Sequence, residues 1–179
     1  DMLIPSKIKI DEVGPHTYKM VLEPFERGYG YTLAAALRRK LLSSMPGCAV
    51  TSFKVEGAMH EFSTIEGLQE DLLEVKLNLK SIIVSLDDEH KSAEFKLALK
   101  GPGPITAGDI DLEGKATILN PDLVIGTLTQ DTDFLLYLTV ERGVGYVPAN
   151  TAEDAAEVDD IGRIHLDASF SPVSRVVYR

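Results

Sequence analysis

Residues 22–44 read LEPFERGYGYTLAAALRRKLLSS. Within this stretch leucine recurs at every fourth position, at Leu33, Leu37 and Leu41. That spacing places the leucines on one face of an α-helix. We therefore predict a helix over residues 32–44, with Thr32 as its N-cap and Pro46-Gly47 just beyond its end.

The flank of this helix carries a short basic patch, Arg38-Arg39-Lys40. Such a patch is compatible with a solvated helix face. It is also compatible with an interface, because arginine is enriched at contact surfaces, where its guanidinium can bond carboxylates in pairs. Periodicity does not choose between these two interpretations.

Strand patterns surround the helix. Apolar and polar residues alternate over residues 8–22 on both sides of Gly14-Pro15, which predicts a β-hairpin. Further along, Ser63-Thr64-Ile65-Glu66 has the pattern of a capping box and predicts a second helix over residues 64–80. The repeated Gly-Pro pairs of residues 101–104 predict a loop.

Several further segments have the composition and alternation of strands. They are residues 50–55, 82–86, 93–99, 115–119, 123–128, 134–142, 164–168 and 173–178. Residues 82–86 and 93–99 are expected to pair as a hairpin across residues 87–90. Because strands dominate and do not alternate regularly with helices, the predicted fold class is α+β.

Composition limits the possible functions. The chain has 179 residues, a formal charge of −10 and a single cysteine, Cys48. A surface that binds nucleic acid is usually basic, so we expect no direct DNA binding. No apolar run approaches the ~20 residues of a membrane span, and neither a leader nor a cysteine pair is evident, so a cytoplasmic location is expected.

The longest acidic stretch is residues 153–160. It is compatible with a solvated loop, and alternatively with a docking loop for a basic regulator. Its candidate contact residues are Glu153, Asp154, Glu157 and Asp159.

The motifs of enzyme and cofactor sites are incomplete. Gly28 and Gly30 precede a helix, but Leu33 replaces the third glycine of a dinucleotide loop. His60-Glu61 lacks the second histidine of a zinc motif, and neither a Cys-x-x-Cys pair nor a nucleophile elbow is present. We therefore expect no catalytic residue, cofactor or metal. The rival hypothesis is an enzyme that binds an anion with the loop of residues 142–146.

Residues 22–51 resemble the start of the α subunit of bacterial RNA polymerase, whose pattern is close to LEPLERGFGxTLGNALRRxLLSSxPGxAV. Further matches follow in the family's order, and the resemblance covers residues 8–179. They are HEFST at 60–64, QED at 69–71, LNLK at 77–80, GPGP at 101–104, RGVGYVPA at 142–149 and FSPVSRV at 170–176.

The resemblance implies a non-catalytic assembly subunit with two lobes. Residues 1–46 and 161–179 would form a dimerisation lobe with a mixed sheet and helices, and residues 47–160 an inserted, mainly β lobe that contacts the large subunits. Two α chains would pair first, and β and then β′ would join them and supply the catalysis. The family's closing helix and DNA-binding C-terminal domain have no counterpart in these 179 residues, and that helix helps to form the family's dimer.

The resemblance also assigns contact residues. The expected dimer contacts are Leu33, Ala34, Leu37 and Leu41. The expected β contacts are Arg38, Arg39, Leu42, His60, Ser63 and Thr64. The expected β′ contacts are Glu74, Lys80, Leu166 and Arg175. Transcription activators are possible partners of the acidic stretch.

The chain departs from the family at three places. Ala34-Ala35 replaces the usual Gly-Asn, and Lys40 and Lys76 stand at positions that are usually aliphatic. Two Lys40 side chains near a two-fold axis would repel each other, because each residue there meets its own copy. A homodimer is still the main expectation. The repulsion motivates one alternative, pairing with a non-identical α copy, and a generic adaptor with other partners is a second alternative.

Overall fold

The computed structural model describes residues 7–15, 17–23, 27–149, 161–173 and 175–179. Within these ranges the fold is α+β, as predicted, with many short strands and two α-helices. The elements in chain order are β1 Lys7–Gly14, β2 Thr17–Glu23, α1 Tyr29–Ser43, β3 Pro46–Val55, α2 Leu72–Lys80, β4 Val84–Leu86, β5 Ser92–Lys100, β6 Gly103–Thr106, a 3-10 turn Ala107–Asp109, β7 Ala116–Ile118, β8 Val124–Leu128, β9 Asp133–Val144, β10 Tyr146–Val147, β11 Ile164–His165 and β12 Ala168–Ser169.

The main sheet has the order β11-β3-β9-β5, and its neighbouring strands are antiparallel. Strand β9 alternates regularly, so that one face of the sheet packs into the apolar core. Leu138 of β9 lies between Phe53 and Phe95 of the two flanking strands, and all three side chains are buried. This cross-strand row fixes the register at the centre of the core.

Strand β3 contains a bulge between Val50 and Ser52. The extra residue explains why the alternation along residues 50–55 has one irregular step, since Val50 and Phe53 are both buried. Arg163 stabilises this region, donating from Nη1 to Ser52 Oγ at 3.1 Å and to Thr139 Oγ1 at 3.0 Å. One guanidinium thus joins β3 to β9.

Helix α2 packs against the core through three buried residues, Leu72, Val75 and Leu79. It begins where Asp71 accepts a hydrogen bond from the Glu74 amide at 2.8 Å. The helix is held to β8 by Asn78, whose amide donates to the Ile125 carbonyl at 2.9 Å. The two-stranded sheets β4–β7 and β6–β8 complete this part of the fold.

Both helices begin at residues other than those predicted. Helix α1 begins at Tyr29 rather than Thr32, because Gly28 adopts a left-handed conformation (φ 90°) and forms the N-cap. Helix α2 begins at Leu72 rather than at residue 64. The Ser63 hydroxyl accepts from the amides of Met59 and His60 instead of capping a helix, so the predicted box closes a loop.

Several predicted strands are also corrected. The predicted hairpin of residues 82–86 and 93–99 does not form, since β4 pairs with β7 and β5 with β9. Gly103 and Pro104 are not loop but begin β6. Residues 164–168 contribute to two short strands, β11 and β12. Of residues 173–178, those that are described are in no strand.

The N-terminal elements contribute nothing to the core. Helix α1 has no buried residue, and the residues of the β1–β2 hairpin are exposed or half-buried. The helix instead contacts the end of the chain. Arg38 Nε donates to the Val176 carbonyl at 3.2 Å, and the Tyr31 and Tyr178 rings pack nearly perpendicular to each other. Among the described residues, no helix has the length and apolar character needed to cross a membrane.

Candidate assembly surfaces

The β1–β2 hairpin presents an apolar face. Its register pairs Ile8 with Leu22 and Ile10 with Met20, which places these side chains on the same side. Ile8 is 64% exposed and Ile10 62% exposed, and Tyr18 nearby is also exposed. A two-stranded hairpin is at best marginally stable in water, so this face has the properties of a contact surface.

Helix α1 carries the predicted dimer residues and part of the predicted β surface. The predicted dimer residues Leu33, Ala34, Leu37 and Leu41 are all half-buried, as is Leu42. Arg38 is exposed and bonds the chain's own C-terminal segment, whereas Arg39 and Lys40 are exposed beside it. The two arginines therefore have different surroundings, and Arg39 is the better placed to meet a partner.

Residues 59–64 form a compact loop, here named the docking loop. The Ser63 hydroxyl accepts from the Met59 amide at 3.1 Å and from the His60 amide at 3.2 Å. The Phe62 amide donates to His60 Nδ1 at 3.1 Å, so two of the predicted β contacts shape the loop from within. Thr64, the third, is exposed at its end.

Two large apolar side chains project from the docking loop. Met59 is 65% exposed and Phe62 is 71% exposed. Sequence reasoning missed both, although an aromatic residue inside a short polar loop was a usable signal. The loop thus combines a hydrogen-bonded scaffold with apolar residues that are free to be buried by another protein.

The predicted β′ residues are only partly brought together. Lys80 Nζ lies 3.9 Å from Asp167 Oδ2, and Asp167 also accepts from the Ala149 amide at 2.8 Å. Glu74 and Arg175 are exposed elsewhere. Leu166, however, is 2% exposed and belongs to the apolar core, so the structure places its side chain beneath the surface instead of on it.

Asp167 is the electrostatic centre of this region. The Ala149 amide, with smaller contributions from Lys80, the Tyr146 hydroxyl and Lys76, lowers the pKa of its carboxyl below the ordinary value. Conversely, desolvation and the charge of Asp167 raise the pKa of the Tyr146 phenol. The carboxylate therefore stays charged at neutral pH and orients the groups around it.

Because of Asp167, the free energy of unfolding should depend on pH in the acidic range. A lowered folded-state pKa means that the charged carboxylate stabilises the fold above the ordinary value of 3.8, and that this contribution is lost as the pH falls through the folded-state value. We expect Asp167→Asn to lower the free energy of unfolding at pH 7 and to have a diminishing effect below about pH 4. Urea unfolding between neutral pH and acid measures this.

The matched control for that experiment is Asp122→Asn, which removes one exposed carboxylate. An equal loss of stability in Asp167→Asn at every pH would show that the charge of Asp167 does not cause the stabilisation. The asparagine retains an oxygen that can accept from the Ala149 amide, so the comparison isolates the charge.

The rival anion-loop hypothesis gains no support from Arg142. Its guanidinium donates from Nη2 to the Leu86 carbonyl at 3.0 Å and to the Asp87 carbonyl at 2.9 Å. These bonds tie β9 to the turn after β4. Within the described ranges, no group of three or more histidine, cysteine or acidic side chains could hold a metal ion. The predicted regulator contacts Glu153, Asp154, Glu157 and Asp159 lie outside the described residues.

The family model described as the RNA polymerase Rpb3/RpoA insert domain matches residues 53–171. This segment covers well over half of the chain and contains the docking loop, helix α2 and Asp167. The match supports a role as a subunit of DNA-directed RNA polymerase. The chain belongs to the RNA polymerase Rpb3/RpoA insert-domain family.

Proposed function

We propose that this chain is the non-catalytic assembly subunit of a bacterial RNA polymerase, and that it dimerises and carries the β and β′ subunits. One observation carries the proposal. The family-matched segment has a closed apolar core, whereas the hairpin, α1 and the docking loop expose apolar side chains. Surfaces of this kind are typical of subunits that act by binding other proteins.

The dimer contact of the proposal is formed by α1 and the hairpin. The half-buried leucines of α1 and the exposed isoleucines of β1 supply apolar area that a second copy can cover. Residues 1–46 and 161–179 are the proposed dimerisation lobe, and residues 47–160 the proposed inserted lobe. A homodimer is the primary proposal, and the exposed Lys40 motivates pairing with a non-identical α copy as its variant.

The large subunits are assigned to separate surfaces. Arg39 and the docking loop form the proposed β surface. Lys80 and Tyr146, which both act on Asp167, are the centre of the proposed β′ surface, and Glu74 and Arg175 are its proposed outlying contacts. Exposed lysine and acidic side chains there would act mainly through electrostatic complementarity. The acidic residues of the 153–160 stretch are the proposed contact for basic activators.

Native mass spectrometry of the complete protein expressed with β and β′ tests this function. We expect complexes that contain two copies of this chain for each β and β′. A polymerase that contains one copy of this chain and one α-like chain of a different mass would establish the heterodimer variant. A chain that remains monomeric and binds neither large subunit would refute the proposed function.

Arg39→Ala tests the β surface separately from dimerisation. Truncating an arginine at the centre of an interface costs on the order of 2 kcal/mol. We expect the full-length variant to fold and dimerise but to lose about 30-fold in affinity for β. The matched control is Arg38→Ala, which removes a side chain that bonds the chain's own Val176 carbonyl. Wild-type affinity in Arg39→Ala would show that β binds elsewhere.

A further inference from the structure

The hydrogen bonds of the docking loop mostly join residues of the loop to one another. The Ser63 hydroxyl and the His60 ring satisfy amides of the same loop, and the Ser63 amide donates to the His60 carbonyl at 3.0 Å. These contacts define the shape of the loop. They do not determine where Met59 and Phe62 point relative to the rest of the protein.

A single ion pair connects the loop to helix α2. Lys76 Nζ lies 3.3 Å from Glu61 Oε2. The two side chains are 23% and 37% exposed, so the pair is partly shielded from water. Among the hydrogen bonds and ion pairs of the described residues, this is the one that ties a side chain of the docking loop to α2. Glu61 also directly precedes Phe62.

A second acid, Asp167, lies close enough to Lys76 for the charge of the lysine to act on it. Lys80 lies one helical turn further along α2 and pairs with Asp167. Like charges at this spacing usually destabilise a helix. Here Glu61 and Asp167 offset the two lysines, and Lys76 contributes to the field that acts on Asp167. The resulting row of alternating charges joins the docking loop to the surface around Lys80.

We propose that Glu61 and Lys76 are positioning residues, which fix the docking loop on α2 and thereby set the affinity of Met59 and Phe62 for the β subunit. This inference rests on the proposed binding of β by the docking loop. Neither charged group needs to contact the partner. The pair acts because a loop that is already oriented loses less conformational entropy on binding.

Stability and affinity should respond differently to loss of this pair. A partly exposed ion pair contributes little to the free energy of unfolding. Ordering the docking loop on binding lowers the affinity, because its side chains lose conformational entropy. Loss of the pair should therefore weaken binding to β and leave the melting temperature nearly unchanged, a combination that a purely structural role would not produce.

The test measures the affinity of the full-length protein for purified β subunit from the same polymerase. We expect K76M and E61Q each to weaken binding about 5-fold, which is the most that the stabilisation of the loop by a partly exposed ion pair allows, with melting temperatures within about 3 °C of the wild type. The charge-swapped double variant E61K/K76E should recover to within about 2-fold of the wild type. A swap no better than the single variants, or wild-type affinity in K76M, would overturn the inference.

Phe62→Ala separates this inference from the proposed function. If Phe62→Ala weakens binding while K76M and E61Q do not, the docking loop binds β but the ion pair does not position it. If Phe62→Ala also binds β normally, the loop is not the β surface, and both proposals about it fail.

Discussion

We expect Gly47→Ala to lower the free energy of unfolding by about 3 kcal/mol, although it adds only a methyl group. A Cβ atom at position 47 would lie 1.8 Å from the Phe170 carbonyl oxygen. That oxygen belongs to the backbone, and the Phe170 amide is bonded to the Gly145 carbonyl at 2.8 Å. The segment therefore cannot move away without losing this bond. Urea denaturation of wild type and variant measures the loss.

Gly143 provides the comparison that identifies the cause. It lies opposite Gly47 across β3 and β9, and a Cβ there would be 2.8 Å from two carbon atoms of the Phe170 ring. Gly143→Ala thus meets a side chain, whereas Gly47→Ala meets backbone. In a Phe170→Leu background, the penalty of Gly143→Ala should shrink and that of Gly47→Ala should persist.

The control for both glycines is Gly30→Ala in α1, where an added Cβ has no atom within 4 Å. This variant should lose no stability. If Phe170→Leu relieved Gly47→Ala as fully as Gly143→Ala, the backbone contact would not be the cause of the penalty.

The double variant Met59→Ala/Phe62→Ala should weaken the complex with β by about 4 kcal/mol, or about 1000-fold. Both side chains are mostly exposed in the free chain, so their loss removes little from the folded state. In the proposed complex each would be buried, and burying a large apolar side chain contributes about 1.5–3 kcal/mol. Equilibrium titration with purified β measures the difference.

Leu119→Ala is the matched control, because Leu119 is 54% exposed and lies outside the proposed surfaces. It should bind β with wild-type affinity. Equal losses from Leu119→Ala and the double variant would mean that apolar exposure alone, rather than the docking loop, determines binding. Unchanged affinity in the double variant would exclude the loop from the interface.

The parts of the fold that the sequence predicted have local causes. Strand β9 was predicted because one face is buried and the other is not, which imposes alternation. The β1–β2 hairpin followed from two alternating runs around Gly14 and Pro15. The α+β class required only that strands outnumber helices.

The incorrect predictions involve competition between partners. The sequence allows Ser63 either to cap a helix or to close a loop. Its hydroxyl closes the loop because, in the folded chain, it accepts from the amides of Met59 and His60. Strands β4 and β5 are adjacent in the chain, but each finds a better partner far away in the sequence. Pairings between distant segments leave no signal in a local pattern.

Predicting the contact surfaces depended on resemblance more than on pattern. His60 and Ser63 came from matching the family, and the structure shows them within the docking loop. Phe62 was missed because the periodicity of helices and strands says nothing about exposure in a loop; the aromatic side chain in a polar loop was the signal left unused. Leu166 was assigned to a surface although its side chain is buried, since matching a family position carries no information on burial.

The arrangement of the main sheet constrains how this protein is made. Strand β3 lies between β9 and β11, and the bonded residues Thr51 and Thr139 are 88 positions apart. During synthesis β3 is therefore complete long before either neighbour exists, and Phe170 arrives later still. Contacts this distant form slowly, and unpaired apolar strands aggregate. We therefore expect the nascent β3 to be prone to aggregation until the last part of the sheet has been translated.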